Sequence, residues 1–402
     1  MTSLSRRGYG IPKIDMTPED IRLHRRNLTV KPFVLQEYAA TVKPFTVYGE
    51  SAKRLYVPQH YGLQTFGAPQ RVLLSEYETI DVVFKGQLRA GQIPAANAFL
   101  KECPLDKTPD SYNLYTKGGI IALYPGAGKT VVSLHIISTL KAKTLVVVHK
   151  TFLMNQWKER IKTFLPDARV GIIQQNNVDI KDKDIVIAML QSISMKDYPK
   201  DTFCSFGLCV VDECHHLAAE VFSRCLSKIG SEFTLGLSGT PDRADGLSKV
   251  FEWWIGPILY HAKRPNDIKV NAIQLKINDK SRPYSREELT QMGKVCMARM
   301  VNNVCAYPER TKLIVHILGL LVKEGRTILV LSSRRKHLID IHTLCITQEV
   351  GTVGFYVGGM KQEDLVASES KQIILGTYNM AAEGLDIKQL NTILFATPMS
   401  NV

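Results

Sequence analysis

Short apolar segments alternate with longer amphipathic segments through most of this chain, and this alternation restricts the fold more than any other feature. The segments Thr144–Val148, Ile185–Met189 and Leu208–Val211 are apolar at nearly every position, and helical patterns such as Thr151–Phe164 lie between them. A strand with one face in water alternates apolar and polar side chains, whereas these strands need cover on both faces. The sequence therefore predicts an α/β protein with parallel sheets covered by helices.

The alternation occurs in two blocks, which predicts two sheet domains in tandem. Residues 81–262 hold the first block, residues 263–402 hold a second and smaller one, and a charged, proline-containing stretch near 261–285 separates them. Residues 1–80 lack the pattern, because prolines interrupt short extended stretches there. We expect a small N-terminal module, and its sequence leaves open whether it contacts nucleic acid or a partner. A chain of 402 residues is long enough for this arrangement.

The chain is basic, with 51 Lys and Arg against 38 Asp and Glu and a net charge of +13. The excess is spread along the whole length, which suits a polyanionic partner that contacts several domains. A basic protein that binds no polyanion remains the alternative. No apolar segment has the length of a membrane span, the N-terminus lacks the apolar core of a secretory signal, and none of the 8 cysteines forms a CxxC pair. We expect a soluble, intracellular protein with free thiols and no membrane contact.

A glycine-rich segment, residues 124–130, lies between a predicted strand and a predicted helix. Backbone N–H groups at such a turn can surround phosphate oxygens, and the residues that offer them are Gly126, Ala127 and Gly128. Lys129 would reach the β and γ phosphates, and the Thr130 hydroxyl would hold Mg²⁺. Leu123 replaces the first glycine of the usual pattern. A plain glycine turn that caps a helix is the alternative, and the Gly-Lys-Thr string in this context argues against it.

Two further polar strings follow apolar strands of the same block. Asp212 and Glu213 come directly after Leu208–Val211, at the edge of a parallel sheet where ligands bind. We predict that Asp212 binds Mg²⁺ and that Glu213 orients the attacking water. The string Ser-Gly-Thr at 238–240 could bond to this acidic end and sense the nucleotide, although alone it is only a plausible turn.

The order of these strings resembles that of superfamily 2 helicases over about residues 81–400. The matching strings are 88–92 upstream of the glycine-rich turn, 147–151 with 156–157 (motif Ia), 190–192 (motif Ic), 212–215 (DExH box), 238–240 (motif III), 329–334 (motif IV) and 376–378 with 381–386 (motif V). Leu123, the Asp-Glu-Cys-His-His string and the run at 238–243 are similar to the XPB-like branch. The strings at 55–62 and 358–360 are similar to helicases of large cytoplasmic DNA viruses, such as poxviruses and African swine fever virus.

The resemblance implies two RecA-like domains that use ATP and Mg²⁺, and it assigns roles to residues. The implied catalytic residues are Lys129, Asp212 and Glu213. The implied nucleotide contacts include Arg89 and Gln92, of which the glutamine would read adenine, together with Gly384 and Asp386. The implied coupling residues are His215, Ser238 and Thr240. The implied phosphate contacts to nucleic acid are Lys150, Thr151, Ser192, Ser332, Arg334 and Thr377.

The function implied by the resemblance is an ATP-dependent helicase or translocase. It would act on DNA with 3′→5′ polarity, with RNA left open, as a monomer in viral transcription or replication. The implied location is the host cytoplasm, a viral factory or the virion, with the viral transcription machinery as a further partner. An ATP-responsive nucleic-acid scaffold and a transcript-release translocase without strand separation remain alternatives. A P-loop small-molecule kinase fits poorly, because it would not need the second block.

One motif of the family has no match in the sequence. Motif VI, a Gln-Gly-Arg-Arg helix that carries an arginine finger, should follow the predicted strand Thr392–Phe395, and no such string is present. An arginine finger contributes orders of magnitude to turnover. From the resemblance we therefore expect a chain truncated before motif VI, with weak ATP binding and slow hydrolysis.

Overall fold

The computed structural model describes residues 1–33, 43–103, 117–214, 219–240, 245–262, 270–277, 287–381, 387 and 389–398. The chain divides into two units, Met1–Asp267 and Ile268–Val402, and each is described by itself. Among these described residues, no helix is both long enough and apolar enough to cross a membrane.

The N-terminal part of the first unit combines a mixed sheet with two helices. Its elements are β1 (Ser3–Ser5), β2 (Gly8–Pro12), a 3-10 helix (Lys13–Asp15), α1 (Pro18–Asn27), β3 (Thr29–Val30), β4 (Phe45–Thr46), β5 (Gly49–Glu50), β6 (Arg54–Val57), α2 (Gln59–Phe66) and β7 (Arg71–Val72). The five-stranded sheet has the order β5-β6-β2-β1-β7, and β3 pairs with β4 alone. Helix α1 begins at a capping box in which Thr17 and Asp20 satisfy each other's backbone N–H groups.

The rest of the first unit is an eight-stranded sheet with helices. Its elements are α3 (Ile93–Lys101), β8 (Gly118–Ala122), α4 (Lys129–Leu140), β9 (Thr144–Val148), α5 (Thr151–Phe164), β10 (Val170–Gln174), β11 (Asn177–Val178), β12 (Ile185–Met189), α6 (Leu190–Met195), β13 (Leu208–Val211), α7 (Ala219–Ile229), β14 (Phe233–Ser238), α8 (Ser248–Ile255) and β15 (Ile258–His261). The strand order is β11-β10-β12-β9-β13-β14-β8-β15. Only β11 runs antiparallel to its neighbour, so the carboxyl ends of the other strands share one edge.

Two hydrophobic clusters cover the sheet of the first unit, as fully apolar strands require. One cluster joins Val146 and Leu235 to the buried face of α4. The other joins alternate sheet residues to α7 and α8, and it continues into Tyr9 and Leu55 of the N-terminal part. Residues 1–80 therefore share a core with the first sheet and lie in the same unit.

The second unit contains a smaller sheet of four parallel strands. Its elements are α9 (Met297–Ala306), α10 (Pro308–Lys323), β16 (Ile328–Ser332), α11 (Arg335–Thr347), β17 (Val353–Tyr356), α12 (Gln362–Glu369), β18 (Ile373–Thr377), α13 (Tyr378–Ala381) and β19 (Thr392–Phe395). The order is β17-β18-β16-β19, and all pairs are parallel. The predicted α/β class with two parallel sheets in tandem is confirmed.

One predicted helix differs from the structure. The sequence pattern suggests a helix from residue 286 to residue 303, but the helix begins only at Met297. Upstream of it, Leu289 and Val295 form an antiparallel bridge around a turn, and Gly293 has a φ of +73°. A positive φ at Gly293 is incompatible with a continuous right-handed helix, and glycine adopts it without steric cost.

Candidate functional site

The glycine-rich turn joins the buried strand β8 to helix α4 at the carboxyl edge of the first sheet. Gly126 and Gly128 have φ values of +81° and +91°, a region that favours glycine. At Gly128 a side chain would also overlap the Gln92 amide nitrogen, whereas the space at Gly126 is open. The turn therefore places backbone N–H groups at the start of α4, where the helix dipole favours an anion.

Gln92 and Arg89 hold this turn from the upstream side. The Gln92 Nε2 donates to the Ala127 carbonyl oxygen at 2.8 Å, and its Oε1 accepts from the Arg89 backbone N at 2.9 Å. The Arg89 Nη2 lies 3.4 Å from the Gly126 oxygen and 3.3 Å from the Ala127 oxygen. Gln92 is buried. Both residues therefore anchor the glycine-rich turn through the carbonyl groups of Gly126 and Ala127. Adenine reading by Gln92 stays a prediction.

Lys129, the first residue of α4, forms an ion pair with Glu213. The Lys129 Nζ donates to the Glu213 Oε1, and both side chains are mostly buried. The lysine predicted to bind phosphates and the carboxylate predicted to orient water thus neutralise each other. A phosphate group that reaches Lys129 would take over this charge and release Glu213.

Asp212 follows strand β13 and is held on both carboxylate oxygens. Its Oδ2 accepts from the Trp157 Nε1 at 2.8 Å, and its Oδ1 accepts from the Glu213 backbone N at 2.9 Å. Burial raises the pKa of the Asp212 carboxyl to about 6, and the charge of Glu213 adds to this, while the Trp157 bond and Lys129 act in the opposite direction. The Glu213 backbone has a φ of +48°, which turns the chain sharply after the strand.

The donor set at this edge suits Mg²⁺, which prefers oxygen ligands and keeps several waters. Asp212 offers a carboxylate, and Thr130, on the first turn of α4, offers a hydroxyl. Each Asp212 oxygen accepts one hydrogen bond and therefore keeps a lone pair for a metal-bound water. These two residues would hold the ion, as the sequence predicts.

The predicted coupling string ends the neighbouring strand β14. Ser238 is its last residue and is buried, and its carbonyl accepts from the Leu123 backbone N at 2.9 Å, directly before the glycine-rich turn. Thr240 is exposed two residues further on. The triplet therefore connects by a backbone hydrogen bond to the residue before the glycine-rich turn. His215, the third predicted coupling residue, lies outside the described residues.

Three of the predicted nucleic-acid contacts lie in the first unit. Lys150 and Thr151 stand at the start of α5, and burial lowers the pKa of the Lys150 ammonium. Thr151 is exposed, with its Oγ1 3.4 Å from the Gln174 Nε2. Ser192 is buried, and its Oγ accepts from the Gln175 backbone N at 2.9 Å. Thr151 is therefore accessible to a ligand, whereas the Ser192 hydroxyl is buried and already hydrogen-bonded within the protein.

The other predicted contacts lie in the second unit. Ser332 and Thr377 end the adjacent strands β16 and β18 and are paired in register. Ser332 is buried and its Oγ lies 3.2 Å from the His337 Nδ1, whereas Arg334 donates to the Asn302 Oδ1 at 2.6 Å. Gly384 and Asp386 lie outside the described residues.

Trp157 contacts the acidic pair, and the sequence-based prediction gave this residue no role. Its position in the motif Ia string was visible, but Trp157 lies 55 residues before Asp212 and no local pattern connects the two residues. The available signal was chemical, since a buried indole usually needs a hydrogen-bond acceptor.

Comparisons with known proteins identify relatives of this chain. The family model described as the type III restriction enzyme, res subunit, matches residues 85–243. A protein of Acanthamoeba polyphaga mimivirus, named as an ATP-dependent RNA helicase, is 34% identical over 100% of this chain and 77% of its own length. An African swine fever virus protein with the same kind of name is 27% identical over 69% of this chain and 59% of its own length. The DNA 3′-5′ translocase XPB2 of Sulfurisphaera tokodaii is 37% identical over 44% of this chain and 36% of its own length.

Proposed function

This chain belongs to the superfamily 2 helicases that include ATP-dependent helicases of large DNA viruses, and on that premise we propose that it is an ATP-driven translocase on DNA. Its reaction would be hydrolysis of ATP, stimulated by nucleic acid and coupled to movement along one strand with 3′→5′ polarity. Separation of a duplex would follow from that movement.

The observation that carries the proposal is the cluster at the carboxyl edge of the first sheet. Lys129 pairs with Glu213, and Asp212 is fixed by Trp157 and by the chain itself. A lysine, a water-orienting carboxylate and a metal-binding carboxylate are the groups that phosphoryl transfer to water requires. Their position beside a glycine-rich turn supports a nucleoside triphosphate as the substrate.

The residues suggest an order of events. The backbone N–H groups of the glycine-rich turn would bind the phosphate chain, and Lys129 would leave Glu213 for the γ phosphate. Glu213 would then orient the attacking water and accept a proton from it. Mg²⁺, held by Thr130 and Asp212, would neutralise charge on the phosphates. The Lys129–Glu213 pair would re-form after product release.

Nucleic acid would lie along the strand edges that carry the predicted phosphate contacts. Thr151 begins α5 at the carboxyl edge of the first sheet, directly after Lys150, and Arg334 directly precedes α11 at that edge of the second sheet. Contacts with phosphates are independent of sequence and weaken as salt rises. DNA is proposed because the Sulfurisphaera tokodaii relative is named as a DNA translocase. The two viral relatives are named as RNA helicases, so RNA is the alternative substrate.

Parallel assays of hydrolysis and strand displacement test this proposal. Hydrolysis of ATP would be measured with single-stranded DNA, duplex DNA and RNA, and displacement with duplexes that carry a 3′ or a 5′ overhang. We expect DNA to stimulate hydrolysis more than RNA, and displacement to require a 3′ overhang. Stimulation by RNA alone would contradict the choice of DNA. Binding without any stimulated hydrolysis would support the scaffold instead, and stimulated hydrolysis without displacement would support a transcript-release translocase.

A further inference from the structure

A groove lies between the N-terminal part of the first unit and helix α7, away from the glycine-rich turn. Its volume is about 650 Å³. Arg7, Tyr48 and Tyr56 line one side, and Ser223 and Arg224 of α7 line the other, together with Trp254 of α8. We call this surface the module groove.

Two buried polar groups at the module groove have no hydrogen-bond partner among the described residues. They are the Ser223 Oγ and the Trp254 Nε1. Ser223 is 5% exposed and Trp254 is 7% exposed. A buried donor without a partner costs about 1–3 kcal/mol, and most buried polar atoms in native proteins have a partner. Their presence makes the groove a candidate site for a polar ligand.

The module groove is lined by two arginines and two glutamates, and the pairing of these charges leaves Arg7 available to an anion. The Arg7 guanidinium lies 5.5 Å above the Tyr56 ring, and within the described part of the chain it has no acidic partner. Arg224 pairs with Glu220 on the same helix. The other acidic residue at the groove, Glu50, is already held by Arg25 and Lys13, which lower the pKa of its carboxyl to about 2.

We propose that the module groove binds a short stretch of single-stranded nucleic acid. Arg7 and Arg224 would contact its phosphates, and bases would stack on Tyr48, Tyr56 and the Arg7 guanidinium, the combination used by proteins that bind single strands without sequence preference. A volume of about 650 Å³ lies in the range of small-ligand sites, which is enough for part of a single strand and too small for a duplex. This site is separate from the predicted phosphate contacts along the two sheets, and it rests on the proposed function, since it assumes a nucleic-acid substrate.

The site would also connect nucleic acid to the catalytic edge. Helix α7 begins at Ala219, a few residues after Asp212 and Glu213, and it carries Ser223 and Arg224 on the face that lines the groove. A strand held in the module groove would therefore contact the helix that follows the acidic pair.

Crosslinking of the full chain tests the site directly. The probe is a 20-nucleotide single-stranded DNA that carries photoactivatable 4-thiothymidine, and crosslinked peptides are identified by mass spectrometry. We expect crosslinks at Tyr48 or Tyr56. Crosslinks confined to other peptides would overturn the proposal.

Salt dependence of binding to the same DNA is the second measurement. The double variant R7E/R224E should lower the slope of log K against log salt by about 1.4, since each lost single-strand phosphate contact removes roughly 0.7. R22E changes the charge of an exposed residue of α1 outside the groove, and we expect it to keep the wild-type slope. Circular dichroism confirms that the variants fold. An equal slope in wild type and double variant would overturn nucleic-acid binding at the module groove but leave the proposed function standing. A wild type that binds no nucleic acid would overturn the proposed function itself.

Discussion

The Trp157 indole donates a hydrogen bond to the Asp212 Oδ2 at 2.8 Å, and both side chains are buried. Trp157 lies on α5, which follows strand β9, and Asp212 directly follows the neighbouring strand β13, so the bond connects the segments that leave two adjacent strands of the parallel sheet. A neutral donor cannot balance the carboxylate charge, but it can fix its orientation. Trp157 is therefore a positioning residue for the acidic end of β13.

Replacing Trp157 by Phe tests this role. W157F keeps an aromatic ring but removes the N–H, and a hydrogen bond to a charged group contributes about 1.5–3 kcal/mol. We expect turnover of ATP to fall about tenfold or more and the Mg²⁺ concentration for half-maximal activity to rise. Activity would be measured by titration of Mg²⁺ at saturating ATP.

W253F serves as the matched control. Trp253 is partly buried and contacts Tyr61 edge-on, with 5.4 Å between the two ring centroids. The same loss of an indole there should leave the Mg²⁺ dependence unchanged. If W157F and W253F had the same Mg²⁺ titration, Trp157 would have only a packing role.

The two glycines of the turn should respond differently to a methyl group. Both have positive φ values, so alanine strains the backbone at either position by about 1 kcal/mol. At Gly128 the added Cβ would also meet the Gln92 amide and the Arg89 guanidinium, whereas at Gly126 it would meet nothing. We expect G128A to weaken ATP binding more than tenfold and G126A to weaken it several-fold, as measured by fluorescence titration with a labelled ATP analogue. Equal losses would show that Gln92 and Arg89 do not position the turn.

Much of the fold was predictable from sequence because the central strands are fully apolar. The segments Thr144–Val148 and Leu208–Val211 were predicted with the bounds that the structure gives, and so was the helix Thr151–Phe164. A buried parallel strand leaves a continuous apolar run, and this signal does not depend on distant residues. The edge positions of Asp212 and Lys129 follow from the same pattern.

The rest depended on contacts that no local pattern contains. The Gln92 bond to the Ala127 carbonyl and the Trp157 bond to Asp212 join residues 35 and 55 positions apart. In the N-terminal part, helices α1 and α2 are short and lie between prolines, so the pattern predicted only extended stretches there. Tertiary packing stabilises α2, since its Tyr61 lies in the same cluster as Trp254.

The stability of the first unit should fall in mild acid because of His60. This residue is 1% exposed, and burial lowers the pKa of its imidazole to about 4. A hydrogen bond with the Ile255 backbone raises this pKa, but its effect is smaller than that of burial. The folded unit keeps His60 neutral, whereas the unfolded chain protonates it below about pH 6.5. Stability is therefore complete above pH 6.5 and is lost as the pH falls towards 4, by up to about 1.4 kcal/mol for each pH unit.

Urea unfolding followed by tryptophan fluorescence measures this effect in the first unit alone, since all 3 tryptophans lie there. H60Q removes the titrating group, and we expect the variant to be less stable at pH 7 but to lose less further stability between pH 6.5 and 5. Parallel loss of stability in wild type and variant would assign the acid sensitivity to other groups.

The account depends most on the Lys129–Glu213 pair as the centre of nucleic-acid-dependent ATP hydrolysis. The most direct test is single-turnover hydrolysis of radiolabelled ATP by the full chain in excess, with and without single-stranded DNA. Wild type, K129A, E213Q and the exposed-lysine control K162A would be compared, and DNA binding would be measured in each. We predict that DNA stimulates hydrolysis in wild type and K162A, and that K129A and E213Q bind DNA but lose the stimulated reaction by at least a hundredfold. Wild-type rates in K129A and E213Q would contradict the account.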